Sequence, residues 1–164
     1  MILDTLKELK QVVADNKNSE KVVLIKKGVF DIIHPGHIFA IGEFCKIADV
    51  VIILIQSDTF TAKKKGPSRP VNPQPQRAEV IDGLKGVDYV YLDSCESREE
   101  YINLLKEICP SIVAVTAGDS RKSVDYQSNL WKLMEFPDKN LPGYSTTEII
   151  NRVIMKCKLN EKFE

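Results

Sequence analysis

The sequence has no excess of charge of either sign: 23 Lys and Arg residues balance 23 Asp and Glu residues over 164 positions. A strong basic excess is typical of general nucleic-acid binders and membrane-surface binders, so this balance gives no support to either class, while a local basic patch stays open. No apolar run is long enough to cross a bilayer, and we expect no signal peptide. We therefore expect a cytoplasmic protein without a nucleic-acid or membrane partner.

Cysteine and histidine are both scarce. The four cysteines contain no C-x-x-C pair, and Cys45 and Cys109 fall in apolar helical patterns. This placement predicts buried, reduced thiols rather than disulfides or a metal site. The two histidines, His34 and His37, flank Pro35, so they do not share one helix face, and no third ligand is nearby. We predict no protein-held metal centre.

What the chain does contain is a regular alternation of strand and helix patterns. Strands are predicted at 22–25, 50–55, 87–92 and 112–115, with an edge strand at 132–136. Helices are predicted at 1–16, 35–48, 76–84, 97–109, 123–131 and 145–158. Such alternation predicts one α/β domain over 1–164, a Rossmann-like parallel sheet with helices on both faces.

The segment 61–75 interrupts this alternation. It has prolines at 67, 70, 73 and 75, and it carries Lys63, Lys64, Lys65 and Arg69. The segment is too polar and too broken for a regular element, so we predict a long loop. Long loops inside compact domains are often functional, and these cations favour a phosphate-binding role here.

The most informative stretch joins the first strand to the helix at 35–48. A strand, a tight turn and a helix start place backbone N–H groups and the positive end of a helix dipole at one point. Two imidazoles at this join add hydrogen-bond donors for the same anion. We interpret the join as a phosphate site. Its residues run Gly28-Val29-Phe30-Asp31-Ile32-Ile33-His34-Pro35-Gly36-His37.

Ligands of open parallel sheets bind outside the carboxyl ends of the strands. The loops predicted at those ends are 28–37, 56–73 and 116–119, and the start of the last helix can reach the same edge. We therefore place the functional site along this edge of the sheet.

Two motifs resemble signatures of the cytidylyltransferase-like nucleotidyltransferases. One is the H-x-G-H pattern at 34–37, which follows the turn, and the other is the S-T-T that opens the last helix at 145–147. Within this family, the loop at 65–73 is similar to the K-G-x-S-R-P-V-N-P loop of adenylyltransferases that activate heptose 1-phosphate. The resemblance covers nearly the whole chain.

The sequence departs from that pattern at two places. Thr116-Ala117-Gly118-Asp119 stands where K-G-G-D is usual, and Lys27 replaces the Asn before the first glycine of the turn. Glycerol-3-phosphate cytidylyltransferase is the alternative, although it usually has Arg where this chain has Asn140.

The resemblance implies transfer of a nucleotidyl group from ATP, or alternatively CTP, to a sugar or polyol phosphate. It also implies Mg²⁺ bound mainly through the nucleotide phosphates, and a homodimer. The predicted catalytic residues are His34, His37 and Lys65. The predicted nucleotide-binding residues are Gly28, Val29, Phe30, Gly36, Gly118, Asp119, Ser145, Thr146 and Thr147. Phosphate or acceptor binding is predicted for Asp31, Lys63, Arg69 and Arg77.

Several roles stay open at this point. Asp31 and Asp58 are candidates for orienting the histidines or lysines, and Arg77 has a competing interpretation as a partner of Glu79 or Asp82. A nucleotide-binding regulator without turnover is a function of another class. A fragment resembling an aminoacyl-tRNA synthetase ranks lower, since the chain lacks a K-M-S-K-S-like sequence.

Overall fold

The computed structural model describes residues 1–116, 128–136 and 145–160. Strands and helices alternate along most of the chain. The strands are β1 (Ile2–Leu3), β2 (Val23–Gly28), β3 (Val50–Gln56), β4 (Tyr89–Asp93), β5 (Ile112–Thr116) and β6 (Lys132–Phe136). The helices are α1 (Leu6–Asn18), α2 (Pro35–Phe44), α3 (Asp58–Lys65), α4 (Gln74–Asp82), α5 (Arg98–Ile108) and α6 (Thr146–Asn160).

The six strands form one parallel sheet in the order β1-β4-β3-β2-β5-β6. From β2 the chain moves outward to β3 and β4, and then returns to the other side of β2 as β5 and β6. The strand order therefore reverses between β2 and β5. In open parallel sheets this reversal leaves a crevice at the carboxyl ends of the strands, where ligands bind.

Helices cover both faces of the sheet. On one face, buried side chains of α1 and α5, such as Leu9 and Leu105, pack on the strands. On the other face, α2 and α4 contribute Ile41, Phe44 and Ile81. β3 is buried along its whole length, because it lies between both layers. The predicted Rossmann-like α/β class is confirmed.

The start of the chain differs from its prediction. Residues 2 and 3 form a strand that pairs with β4, although the pattern predicted a helix from residue 1. The helix begins only after Thr5, which exchanges hydrogen bonds with Glu8 in a capping box. Two adjacent apolar residues fit a strand as well as a helix. Their pairing with the outer side of β4 favours the strand.

The segment predicted as a loop is partly helical. α3 continues through Lys65, and its N-cap Ser57 accepts a hydrogen bond from Phe60 N at 3.1 Å. Phe60 and Thr61 are buried on the sheet side of this helix. The helix ends at Gly66, whose φ of +96° is unfavourable for other residues. The prolines follow this glycine, so they never enter the helix, and α4 then begins at residue 74.

Two further predictions are corrected. All four cysteines are free thiols, but Cys45 is exposed and Cys109 is only half-buried, because each lies at the C-cap of a helix rather than on its inner face. In the helix predicted at 123–131, residues 123–127 lie outside the described part of the chain. Residues 128–131 form a turn closed by an antiparallel bridge from Ser128 to Trp131, so that part of the prediction is wrong.

Substitutions at two glycines, Gly86 and Gly42, can test the packing around α2. Gly86 has a φ of +92°, and a Cβ added there would lie 2.6 Å from Cys45 Sγ. We expect Gly86→Ala to lower the free energy of unfolding by about 1–3 kcal/mol, since it combines backbone strain with a clash. Gly42 in α2 has open space around it, so Gly42→Ala should raise stability by about 0.5–1 kcal/mol. Urea unfolding of both variants checks this contrast, and equal effects would contradict it.

Candidate active site

The turn between β2 and α2 depends on one close approach. A Cβ on Gly28 would lie 2.6 Å from Phe30 Cε2, so the ring occupies the space that a side chain would need. Phe30 itself has a φ of +49° and is buried in the core beneath α2. The turn then reaches His34, the N-cap of α2, with Gly36 in the first helical turn. The free N–H groups of that helix end therefore lie at the sheet edge.

The two histidines lie face to face at this helix end. Their ring centroids are 3.8 Å apart with planes tilted by 32°, and the Phe30 ring lies 5.1 Å from the His37 ring. His34 N donates to His37 Nδ1 at 3.4 Å. A neutral His37 therefore carries its proton on Nε2, where it can donate to a ligand.

The surroundings of His37 disfavour its charged form. Burial lowers its pKa to about 3, assisted by the positive electrostatics of His34, Lys65 and Lys26. At neutral pH the ring is therefore an uncharged donor within a group of basic side chains. Such a group attracts anions, and phosphate is the anion that the turn was predicted to bind.

The start of α6 lies against the same turn. Thr146 Oγ1 donates to the Ile32 carbonyl at 3.5 Å. Ser145 and Glu148 cap the helix reciprocally: Ser145 N donates to Glu148 Oε2 at 2.9 Å, and Glu148 N donates to Ser145 Oγ at 3.2 Å. Thr147 is exposed at this end of the helix. The structure thus brings together the two motifs that the sequence singled out.

The three consecutive lysines of α3 separate in space. Lys63 pairs with Glu96 at 3.0 Å, and Lys64 Nζ lies 4.1 Å from the centre of the Phe60 ring. Hydrogen bonds from Ser57, Thr59 and Lys63 lower the pKa of Glu96 to about 2. Lys65 is the member of the three whose charge acts on His37.

Asp31 holds the loop that follows α3. Its carboxylate accepts from Arg69 Nε at 2.7 Å, from Val71 N at 2.9 Å and from Asn72 N at 3.0 Å. Asn72 Nδ2 donates in return to the Asp31 carbonyl at 3.0 Å. Burial alone would raise the pKa of Asp31, but these hydrogen bonds outweigh it and lower the pKa. Asp31 therefore orients the loop rather than a histidine or a lysine.

Arg77 joins the same loop to two strand ends. Its side chain is fully buried, and it donates to the carbonyls of Val29, Asn72 and Gln56 and to Asp58 Oδ1 at 2.6 Å. Its ionic partner is thus Asp58, not Glu79 or Asp82 as the sequence allowed. Because each of its guanidinium nitrogens donates to a protein oxygen, Arg77 holds the segments around the site together and is not placed to bind a phosphate.

The Lys27 position, where the sequence departs from the family pattern, is on the opposite face of the sheet. Lys27 forms a buried ion pair with Asp93 at the end of β4, and its Nζ lies 4.6 Å from the centre of the Tyr101 ring. Burial and Asp93 raise the pKa of the neighbouring Cys95 thiol to about 12. This pair lies on the α5 side of the sheet and does not face His37.

Lys26 is not among the residues predicted from the sequence, yet its charge acts on His37. The signal for it is the two-residue alternation of side chains along β2, which places Lys26 on the face that α2 covers. The predicted nucleotide-binding residues Gly118 and Asp119 lie outside the described residues, as does Asn140.

A family model described as Cytidylyltransferase-like matches residues 25–152. The match covers well over half of the chain and includes both the histidine turn and the start of α6. The chain therefore belongs to the cytidylyltransferase-like family of nucleotidyltransferases. This confirms the family and the class of enzyme that the two motifs predicted.

Curated relatives agree with this family. The chain is 34% identical over 153 residues to the bifunctional protein HldE of Photobacterium profundum, which is 89% of this chain and 30% of that protein. It is 36% identical over 157 residues to the bifunctional protein HldE of Shigella flexneri, which is 91% of this chain and 31% of that protein. The chain thus spans less than a third of these relatives.

Solved structures share the fold. The lipopolysaccharide core biosynthesis protein from Thermoplasma volcanium has a TM-score of 0.61 at 24% identity, covering 71% of this chain and 96% of that chain. Pantoate-beta-alanine ligase from Francisella tularensis has a TM-score of 0.61 at 18% identity, covering 92% of this chain and 72% of that chain. Within the described residues, no helix has the length and apolarity needed to span a membrane.

The low pKa of His37 predicts how stability depends on pH. An unfolded histidine takes up a proton near pH 6.5, whereas folded His37 does so only near pH 3. Between these values the unfolded state binds more protons, so the free energy of unfolding should fall as the pH falls, by up to about 1.4 kcal/mol per pH unit from this group. Urea unfolding at several pH values, compared with His37→Gln, isolates this contribution. A His37 titration midpoint by NMR at the ordinary histidine value would contradict the prediction.

The buried network of Arg77 predicts a second effect on stability. Arg77→Lys keeps the charge, but one ammonium group cannot reach every acceptor oxygen of the network. We expect the free energy of unfolding to fall by about 2–4 kcal/mol, because buried carbonyls and Asp58 lose their donors. Arg152→Lys on the exposed side of α6 is the matched control and should change it by less than about 0.5 kcal/mol. Similar urea midpoints for both variants would refute this role of Arg77.

Proposed function

We propose that this protein transfers a nucleoside monophosphate from ATP, or alternatively CTP, to a sugar phosphate, with heptose 1-phosphate as the first candidate. The observation that carries the proposal is the meeting of the two imidazoles, the basic side chains and the start of α6 at one edge of the sheet. This arrangement offers hydrogen-bond donors and positive charge to a triphosphate.

The chemistry follows from the substrates. An oxygen of the acceptor phosphate attacks the α-phosphorus of the nucleotide. The bond from that phosphorus to the oxygen shared with the β-phosphate breaks, and its electron pair leaves with pyrophosphate. Because the attacking group is already an anion, no strong base is required. The protein's task is to position two anions and to stabilise the charge that grows during transfer.

The described side chains divide this task. His37 Nε2–H donates to an oxygen of the transferring phosphate, and His34 adds a second donor from the N-cap of α2. Lys65 supplies positive charge at the same point. The N–H groups and hydroxyls at 145–147 hold the far end of the triphosphate. Asp31, through its ion pair with Arg69, fixes the loop that covers the acceptor.

Mg²⁺ fits this proposal as an ion carried by the nucleotide. No three His, Cys, Asp or Glu side chains in the described ranges cluster in a way that could hold a metal ion. The two carboxylates near the turn, Asp31 and Asp58, bind the arginines described above. Mg²⁺ takes several waters and phosphate oxygens as ligands, so its charge would reach the site on the triphosphate.

The acceptor is inferred from two lines of support. The loop at 65–73 resembles that of heptose 1-phosphate adenylyltransferases, and the Thermoplasma volcanium protein of the same fold is a lipopolysaccharide core biosynthesis protein. A product destined for surface polysaccharide agrees with both.

The implied homodimer has support from four exposed apolar side chains on α6, which are Val153, Ile154, Met155 and Leu159.

The test is pyrophosphate release in the presence of Mg²⁺, with ATP and CTP each paired with heptose 1-phosphate and glycerol 3-phosphate. We expect turnover with ATP and heptose 1-phosphate. His37→Ala should lower kcat by about 10²–10³-fold, because it removes a donor to the transferring phosphate. Gln11→Ala, on the exposed face of α1 far from the turn, is the control and should keep wild-type activity.

The other outcomes separate the alternatives. Turnover only with CTP and glycerol 3-phosphate would replace the proposal by a polyol-phosphate cytidylyltransferase. Nucleotide binding by calorimetry without turnover for any acceptor phosphate would favour a regulator that keeps the pocket. Full activity in His37→Ala would overturn the assignment of the site itself.

A further inference from the structure

Lys26 lies on the same face of the sheet as the histidine turn. Side chains alternate along a strand, and Leu24 belongs to the core beneath α2 and α4, whereas Ile25 belongs to the opposite core. Lys26 therefore shares the face of Leu24. It lies in register with Ile53 of β3, which is buried in the same core as Leu24.

The ammonium group of Lys26 is anchored at the reversal of strand order. Its Nζ donates to Thr116 Oγ1 at 2.9 Å, and Thr116 is the last residue of β5. β2 and β5 are the two strands between which the order of the sheet reverses. Lys26 is half-buried there, so its long side chain has a defined direction along the carboxyl edge.

Three basic groups act on His37 from different elements. His34 belongs to the turn, Lys65 to the end of α3, and Lys26 to β2. Lys26 and Lys65 belong to different elements, β2 and α3, and the charge of each acts on His37. A phosphate bound at the histidine turn would therefore be stabilised by both charges.

We propose that Lys26 is a catalytic residue that binds the phosphate group being transferred, at the carboxyl end of β2 on the face of the histidine turn. This inference rests on the proposed function, and it adds a residue that neither motif of the sequence contains. Thr116 fixes the ammonium group before the substrate arrives, so little reorganisation is needed when charge grows on the phosphate.

The variants are Lys26→Met, which keeps the length and removes the charge, and Lys26→Arg, which keeps the charge. Lys21→Met is the control, because Lys21 is exposed just before β2, at the amino ends of the strands and away from the carboxyl ends where the site lies. Cooperative urea unfolding of each variant establishes that it is folded. Pyrophosphate release is measured with the acceptor and nucleotide on which the wild type is active.

We expect Lys26→Met to lower kcat by about 10²-fold with a KM for the acceptor within about threefold of wild type. It should weaken binding of ATP, measured by calorimetry, by about tenfold. Lys26→Arg should recover most of both losses, and Lys21→Met should match the wild type. A folded Lys26→Met with wild-type kcat and ATP binding would overturn the proposal, as would a Lys26→Arg variant as impaired as Lys26→Met.

A second readout does not require turnover. Titration of inorganic phosphate should shift the NMR signals of the His37 ring, and Lys26→Met should need about tenfold more phosphate for the same shift. Removing the Lys26 charge should also raise the His37 pKa, while Lys21→Met should leave it unchanged. If the wild type shows no turnover but these shifts occur, the proposed reaction fails and the Lys26 site stands. If they are absent, the Lys26 inference fails independently.

Discussion

The buried guanidinium of Arg77 is the interaction on which the candidate site depends most. It joins the turn after β2, the end of β3, the loop after α3 and the start of α3 through Asp58. A buried charge is costly unless its partners satisfy it, and here each nitrogen has an oxygen partner. Because these protein partners occupy its nitrogens, Arg77 is not placed to bind a substrate. Its hydrogen bonds instead hold together the backbone segments that support the histidine turn.

Asp31 connects the histidine turn to the loop that follows α3. It gathers the Arg69 side chain and two backbone N–H groups, so the proline-containing loop is held against the histidine turn. These two networks contain Asp31, Arg69 and Arg77, which the sequence predicted to bind phosphate or the acceptor. In the proposed site, the positive charge that acts on His37 comes from Lys65 of α3 and Lys26 of β2.

Sequence patterns predicted the layers of this fold well and its details less well. Burial of an element on both sides leaves a continuous apolar run, as in β3, and such a run is readable without neighbours. α3 escaped prediction because its stability comes from the Ser57 cap and from burial of Phe60, not from a periodic apolar face. β1 escaped because only pairing with β4 distinguishes two apolar residues from the start of a helix.

The sequence by itself determined most of the order of strands and helices, the position of the turn at 28–37 and the family. These follow from local rules: apolar periodicity, the conformational needs of a turn, and motifs whose residues are close in the chain. Only the tertiary structure decided which charged residues face the site. Asp31, Arg69, Arg77 and the lysines differ little in sequence context, and their partners come from segments distant in the chain. Whether a charge binds the protein or remains for a ligand depends on those distant partners, because the partners set its burial and its hydrogen bonds.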